Sequence, residues 1–64
     1  MDYAEIMSRV EALRRELAEI GDHNRRYFTK KSHPPQQRAE HQNLRERVRQ
    51  IRAELYDLKE RSAA

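Results

Sequence analysis

The chain contains no cysteine and no tryptophan, and it has only one glycine and two prolines among its 64 residues. Without cysteine, disulfide bridges and thiolate zinc sites are excluded, and the composition is consistent with a reducing compartment. Residues that break regular backbone structure are scarce, so little of the sequence is typical of loops. We therefore expect long, uninterrupted elements joined by few turns.

Long apolar runs are also missing. The amino-terminal sequence MDYAEIMSRV has an acid at its second position and no unbroken hydrophobic stretch, so we expect neither a signal peptide nor a membrane-spanning helix. The mean hydropathy is −1.26, and 39% of the residues are charged. Together these features predict a soluble, cytoplasmic protein.

Motifs that would support catalysis or metal binding are lacking. There is no glycine-rich phosphate loop, and His23, His33 and His41 do not have the i, i+4 spacing that places two metal ligands on one helix face. The carboxylates instead have basic partners at i, i+4, typical of solvated helices. These predicted pairs are Glu5–Arg9, Glu11–Arg15, Asp22–Arg26 and Asp57–Arg61. We expect a non-enzymatic protein without metal, cofactor or small-molecule substrate.

What the chain does contain is a regular alternation of three- and four-residue steps between apolar positions, in both halves. In the first half these positions are Tyr3, Ile6, Val10, Leu13, Leu17, Ile20, Asn24 and Tyr27. In the second half they are His41, Leu44, Val48, Ile51, Leu55 and Leu58. Each set forms a seam along a helix, so the sequence predicts an all-α fold in which two helices face each other in a coiled-coil-like hairpin.

Local signals place the ends of these helices. Asp2, followed three residues later by Glu5, resembles a capping box and starts the first helix near residue 3. The residue before a proline avoids the helical region, whereas Pro35 suits a first helical position, so a bend falls at the proline pair. The predicted single domain has a helix over about 3–31, a bend over about 32–34 and a helix over about 35–61.

Gly21 leaves one alternative open. As a carboxyl-terminal cap it would end the first helix and leave residues 21–34 as a long loop. The heptad spacing passes through Gly21 without a shift, however, and a structureless loop of that length is uncommon in a compact domain. We therefore expect a continuous first helix.

An antiparallel hairpin centred on the bend determines which seam residues meet. The residue numbers of two facing seam positions then sum to 68, so that Leu17 meets Ile51 and Tyr27 meets His41. Asn24 lies at a seam position where a buried amide typically fixes register. Protonation of His41 would act directly on the seam, which leaves a pH-sensitive role open.

A second, weaker stripe of small or apolar residues lies beside the seam on the first helix. Its members are Ala4, Met7, Ala18, Gly21 and Phe28. A chain of this size buries a small core and often needs oligomerisation to be stable. We therefore predict a homodimer, most simply a four-helix bundle, whose parallel or antiparallel arrangement the sequence does not decide.

Charge is distributed unevenly along the chain. Residues 1–22 carry six acids and three bases, whereas residues 23–38 carry five bases and no acid. The candidate partner contacts at this hairpin tip are Arg25, Arg26, Lys30, Lys31 and Arg38. The preferred interpretation is an interaction or assembly module that self-associates through its seams and offers the basic tip to a protein partner.

The alternative is RNA or DNA binding at the same tip. Its cations would neutralise phosphates, and Tyr27 or Phe28 would stack on bases. Contact with a membrane surface is less well supported, because neither helix combines a strongly apolar face with a uniformly basic one.

Overall fold

The structure, a computed structural model, describes residues 2–63 and consists of two α-helices. Helix α1 spans Tyr3–Phe28 and helix α2 spans Pro35–Ala63. They lie against each other in a rod that measures 46 × 15 × 14 Å. The predicted all-α hairpin is confirmed. Neither helix is long and apolar enough to cross a membrane over the part of the chain described.

The start of α1 matches the sequence signal. Asp2 has extended backbone angles, and its Oδ1 atom accepts a hydrogen bond from the backbone N–H of Glu5 at 2.9 Å. This bond satisfies one of the amino-terminal N–H groups that a helix leaves without an internal partner. Further along, α1 runs through Gly21 without a break, as predicted.

The end of α1 lies at Phe28, before the predicted residue 31. The Thr29 hydroxyl donates to the carbonyl oxygen of Arg26 at 2.7 Å, and the Lys30 N–H donates to that of Tyr27 at 3.3 Å. The His33 ring also reaches back from the bend, with Nε2 at 2.6 Å from the same Tyr27 oxygen. Since a carbonyl only accepts, Nε2 carries the proton. These contacts cap the last turn and end the helix.

Helix α2 begins at Pro35, as predicted, and the Arg38 N–H donates to the Pro34 carbonyl at 3.1 Å to close its first turn. Its carboxyl end lies beyond the predicted residue 61, at Ala63. The Ser62 hydroxyl donates to the Lys59 carbonyl in this final turn.

The core consists of seam positions from both helices. Its buried apolar members are Ile6, Leu13, Ile20, Ile51 and Leu58. Val10, Leu17, Leu44, Val48 and Leu55 are partly buried and pack against them. Tyr3, by contrast, was predicted as the first seam position and is 70% exposed, so the seam does not extend to the open end of α1.

Gly21 can be replaced to test the helix geometry. It has no positive φ angle, and a Cβ atom added there would meet nothing within 4 Å. We expect Gly21→Ala to raise the free energy of unfolding by about 0.5–1 kcal/mol, because alanine loses less backbone entropy in a helix. Urea unfolding followed by circular dichroism measures this change. A lower unfolding midpoint for Gly21→Ala would contradict a continuous, unstrained α1.

Candidate functional site

Two bidentate ion pairs link the helices on one side of the seam. Arg9 donates to the Glu54 carboxylate at 2.5 and 3.0 Å, and Arg47 donates to Glu16 at 2.5 and 2.8 Å. If the seam residues occupy heptad positions a and d, all four of these residues immediately precede an a position and are therefore g positions. In an antiparallel pair, g positions of the two helices share one side, which we call the paired face.

The ion pairs shift the pKa values of their members. Hydrogen bonds from Arg9 hold the pKa of the Glu54 carboxyl below its ordinary value, and Arg47 does the same to Glu16. The same bonds raise the pKa values of the two guanidinium groups. Both carboxylates thus stay charged and neutralise the cations opposite them.

Three of the four predicted i, i+4 pairs are not formed within residues 2–63, and in two of them a member pairs with another residue instead. Arg9 pairs across the seam rather than with Glu5, and Asp22 pairs with Arg25 rather than with Arg26. The predicted Glu11–Arg15 pair is likewise not formed within residues 2–63. The Asp57–Arg61 pair is confirmed at 3.1 Å. Long side chains on a hairpin choose among several carboxylates, and proximity along one helix does not decide the choice.

The opposite side of the hairpin, which carries the e and b heptad positions, is strongly basic, and we call it the cationic face. Its cations are Arg14, Arg25, Arg38, Arg45, Arg49, Arg52 and Lys59. Its other large or apolar members are Ala4, Met7, Ala18, Gly21, Phe28 and Tyr56. Glu11 is the one carboxylate at these positions, so the face carries +6 in a chain whose net charge is +3.

Most of these cations have no carboxylate of their own. Arg25 pairs with Asp22, and Arg49 lies 3.6 Å from a Glu46 oxygen. The remaining cations make no salt bridge within the described part of the chain and are all exposed. They are Arg14, Arg38, Arg45, Arg52 and Lys59. Each of them occupies an e position, so the uncompensated charge borders the seam directly.

Two shallow grooves open on the cationic face. The first, of about 360 Å³, is lined by Ile6, Met7, Val10, Arg14, Leu55, Tyr56, Leu58, Lys59 and Ser62. The second, of about 300 Å³, is lined by Asn24, Arg45, Val48, Arg49 and Arg52. Neither lining includes a carboxylate. The grooves therefore combine an apolar floor from the edge of the seam with basic rims.

Apolar groups on this face are open to contact. Phe28 is 70% exposed, Tyr56 is 67% exposed and Met7 is 37% exposed. The open space beside Gly21 leaves the α1 backbone accessible there. The second stripe predicted from the sequence thus lies on the same side of the hairpin as the uncompensated cations.

The five tip cations predicted as partner contacts do not form one cluster. Arg25 is engaged by Asp22. Arg26 and Lys30 border a separate groove of about 250 Å³ that also contains Glu40. The positive charge of this part of the tip is therefore partly offset by a carboxylate.

The other two tip cations, Lys31 and Arg38, are exposed. Arg38 is also the first of a row that continues at seven-residue intervals through Arg45, Arg52 and Lys59. Sequence reasoning that counted charge in consecutive segments missed this row. The seven-residue spacing within the second heptad series was the signal that could have found it.

Aromatic rings, rather than the cations, pack together at the tip. The Tyr27 ring is sandwiched between those of His33 and His41, with centroid distances of 3.6 and 4.0 Å and interplanar angles of 10° and 4°. Phe28 meets Tyr27 edge-on at 5.3 Å. The predicted meeting of Tyr27 with His41 is confirmed, and Tyr27 is a packing residue rather than a free platform for a ligand.

Two buried polar atoms near the tip have no hydrogen-bond partner within residues 2–63. They are the Asn24 Oδ1 and the His41 Nδ1. The register role of Asn24 therefore stays a prediction, since its buried oxygen has no partner within the described part of the single hairpin. Burial lowers the pKa of His41, and the positive charges of Arg45, His23 and His33 lower it further.

No group of three or more His, Cys, Asp or Glu side chains is arranged to hold a metal ion in the region described. Comparison with protein-family models, curated proteins and solved structures finds no match for this chain.

The buried His41 predicts a pH-dependent stability. Above its ordinary pKa near 6.5, His41 is neutral in the folded and unfolded states. Below that value the unfolded chain takes up a proton that the folded chain resists, so the free energy of unfolding falls as the pH falls toward the lowered pKa. Urea unfolding at several values between about pH 8 and about pH 5 measures this fall.

Substitution identifies the group responsible. His41→Phe should remove most of the fall between about pH 7 and about pH 5, whereas His23→Gln should retain it. Glu16 and Glu54 remain ionised in this range because their pKa values lie below 4.5. An equal fall in His41→Phe and in the original protein would show that another group is responsible.

Proposed function

We propose that this protein is a non-enzymatic interaction module that binds an anionic partner through its cationic face. The observation that carries the proposal is the segregation of charge, with +6 on one side of a hairpin whose total charge is +3. The absence of cysteine supports a place for it in a reducing, cytoplasmic compartment.

Segregated charge acts differently from the same charge spread evenly. On the paired face, Arg9 and Arg47 are neutralised by Glu54 and Glu16 within hydrogen-bond distance. On the cationic face, neighbouring charges of one sign add to a field that attracts anions and accelerates their association. An anionic partner therefore approaches the hairpin from the side of the cationic face in preference to all others.

The homodimer and four-helix bundle predicted from the sequence stay predictions. The seams of the two helices already face each other within the hairpin, which leaves the second stripe as the surface for self-association. A two-fold dimer places the same patch of both copies face to face. On the cationic face this would bring Arg45 and Arg52 of each copy toward the other's cations, so we expect self-association to be weak at low salt.

Matched charge reversals test the proposal. Arg45→Glu with Arg52→Glu alters the cationic face, whereas Arg15→Glu with Arg61→Glu makes the same change in net charge elsewhere. On immobilised heparin, a polyanion, the first variant should elute at clearly lower salt than the second, because adjacent cations bind cooperatively. Helicity and urea midpoints of both variants establish that they fold. Equal elution of the two variants would contradict a functional cationic face.

Nucleic-acid binding is a second candidate function. It is favoured by the exposed Phe28 and Lys31 at a tip whose residues 23–38 contain no acid. Phosphates would pair with the tip cations while a base stacks on the Phe28 ring.

The absorbance of freshly purified protein tests this candidate. Bound nucleic acid would raise the ratio of absorbance at about 260 nm to that at about 280 nm, and high salt would lower it again. Arg25→Glu with Arg26→Glu should abolish this effect without unfolding the chain. Nucleic acid retained by that double variant would show that the tip is not the binding site.

A further inference from the structure

We infer that the cationic face receives an acidic amphipathic helix of a partner protein, which completes a three-helix bundle with α1 and α2. This inference rests on the proposed function, because it identifies the anionic partner by its chemistry. The two grooves, the spacing of the cations and the small residues of α1 each contribute to it.

The spacing of the cations matches a helical partner. Arg38, Arg45, Arg52 and Lys59 recur once per heptad, which is about 10.5 Å along α2. A helix that carries one acid per heptad on the facing edge presents carboxylates at the same interval, so several ion pairs form without distortion. Phosphates along a strand rise by about 3.4 Å each, so every third phosphate, at about 10.2 Å, would also match this row, and the apolar floors of the grooves are what favour a helix.

The apolar floors of the grooves need an apolar partner. Val10, Leu55 and Val48 are only partly buried by the hairpin and line the two grooves. An amphipathic helix laid along the hairpin would cover them, which stabilises association by about 25 cal/mol for each Å² of apolar surface removed from water. A phosphate backbone supplies no apolar surface for this purpose.

Small residues allow the partner to approach. Helices pack with their axes about 8–10 Å apart, and the smaller side chains at the contact permit the shorter distances. Ala18 and Gly21 lie on the cationic face at consecutive b and e positions, and the space beside the Gly21 Cα is open. The α1 side of the interface is therefore shaped for close packing, while the α2 side supplies the charge.

The two exposed aromatic rings lie too far apart to form one continuous base-stacking platform. Phe28 lies at the tip, and Tyr56 lines the groove that also holds Met7, near the open end. In the antiparallel hairpin they are separated by about 24 Å along the axis, at about 1.5 Å per residue. Each ring instead fits one end of an elongated contact.

The partner can be specified well enough to synthesise. The two grooves extend over about 25 Å of the hairpin, from the layer of Met7 to that of Asn24, which three heptads of helix cover. The probe is a peptide of about 21 residues with leucine or isoleucine at its a and d positions and glutamate at its e and g positions. The control peptide has lysine at the e and g positions.

The peptides are titrated against the full chain. Repulsion between its glutamates keeps the acidic peptide largely unfolded alone, so binding should appear as helicity beyond the sum of the two components. We expect the acidic peptide to bind at least about tenfold more tightly than the lysine peptide. Arg45→Glu with Arg52→Glu should remove most of this preference, and Arg15→Glu with Arg61→Glu should leave it in place.

A neutral substitution separates packing from charge. Gly21→Gln places a long, uncharged side chain in the open space on the face without removing a cation. It should weaken binding of the acidic peptide by about tenfold if helices pack closely there, and it should leave heparin elution unchanged. Unchanged peptide affinity in Gly21→Gln would overturn close helix packing.

Further outcomes distinguish the inference from the proposed function. One such outcome is that single-stranded RNA or duplex DNA binds while the acidic peptide does not, and that the Arg45–Arg52 double variant abolishes nucleic-acid binding. The partner is then nucleic acid, so the helix inference fails and the proposed function survives. If sedimentation shows a dimer that excludes the peptide, the occupant is a second copy and the inference fails. If no anion binds through this face, both fail together.

Discussion

The antiparallel register of the two seams is the constraint on which every other feature of the hairpin depends. Leu13 and Ile51, the most completely buried side chains, pack between helices, and the stack of Tyr27 on His41 follows the same pairing near the bend. Because heptad positions have fixed places around each helix, this one register decides which polar residues share a side. A slip along the seam would separate the charges that now pair.

This register produces the difference in charge between the paired face and the cationic face. The g positions of the helices oppose one another with opposite charges, as in Arg9–Glu54 and Arg47–Glu16, and close one edge of the seam. The e positions of α2 are all basic and find no acids on α1. The hairpin therefore neutralises one side internally and leaves the other to be neutralised by something else, which is the physical basis of the proposed function.

Features set by local backbone rules were predictable from the sequence. The seams, the cap at Asp2, the start of α2 at Pro35 and the meeting of Tyr27 with His41 depend on period, proline geometry and simple arithmetic. The end of α1 was not predictable, because the contacts that cap it include the His33 ring, which reaches back to a carbonyl across the bend. The pairing of Arg9 differed for a similar reason, because only the assembled hairpin brings Glu54 within its reach.

The cationic face was predictable only in part. The seven-residue row of cations can be read from the sequence, but the side of the hairpin that it occupies depends on the register. Chemical-shift mapping by nuclear magnetic resonance tests binding at the cationic face most directly, with the acidic peptide titrated into isotopically labelled protein. Changes should concentrate at Gly21, Arg45 and Arg52 and leave the paired-face residues Glu16 and Glu54 nearly unaffected. Changes centred on the paired face, or on neither side, would contradict the account.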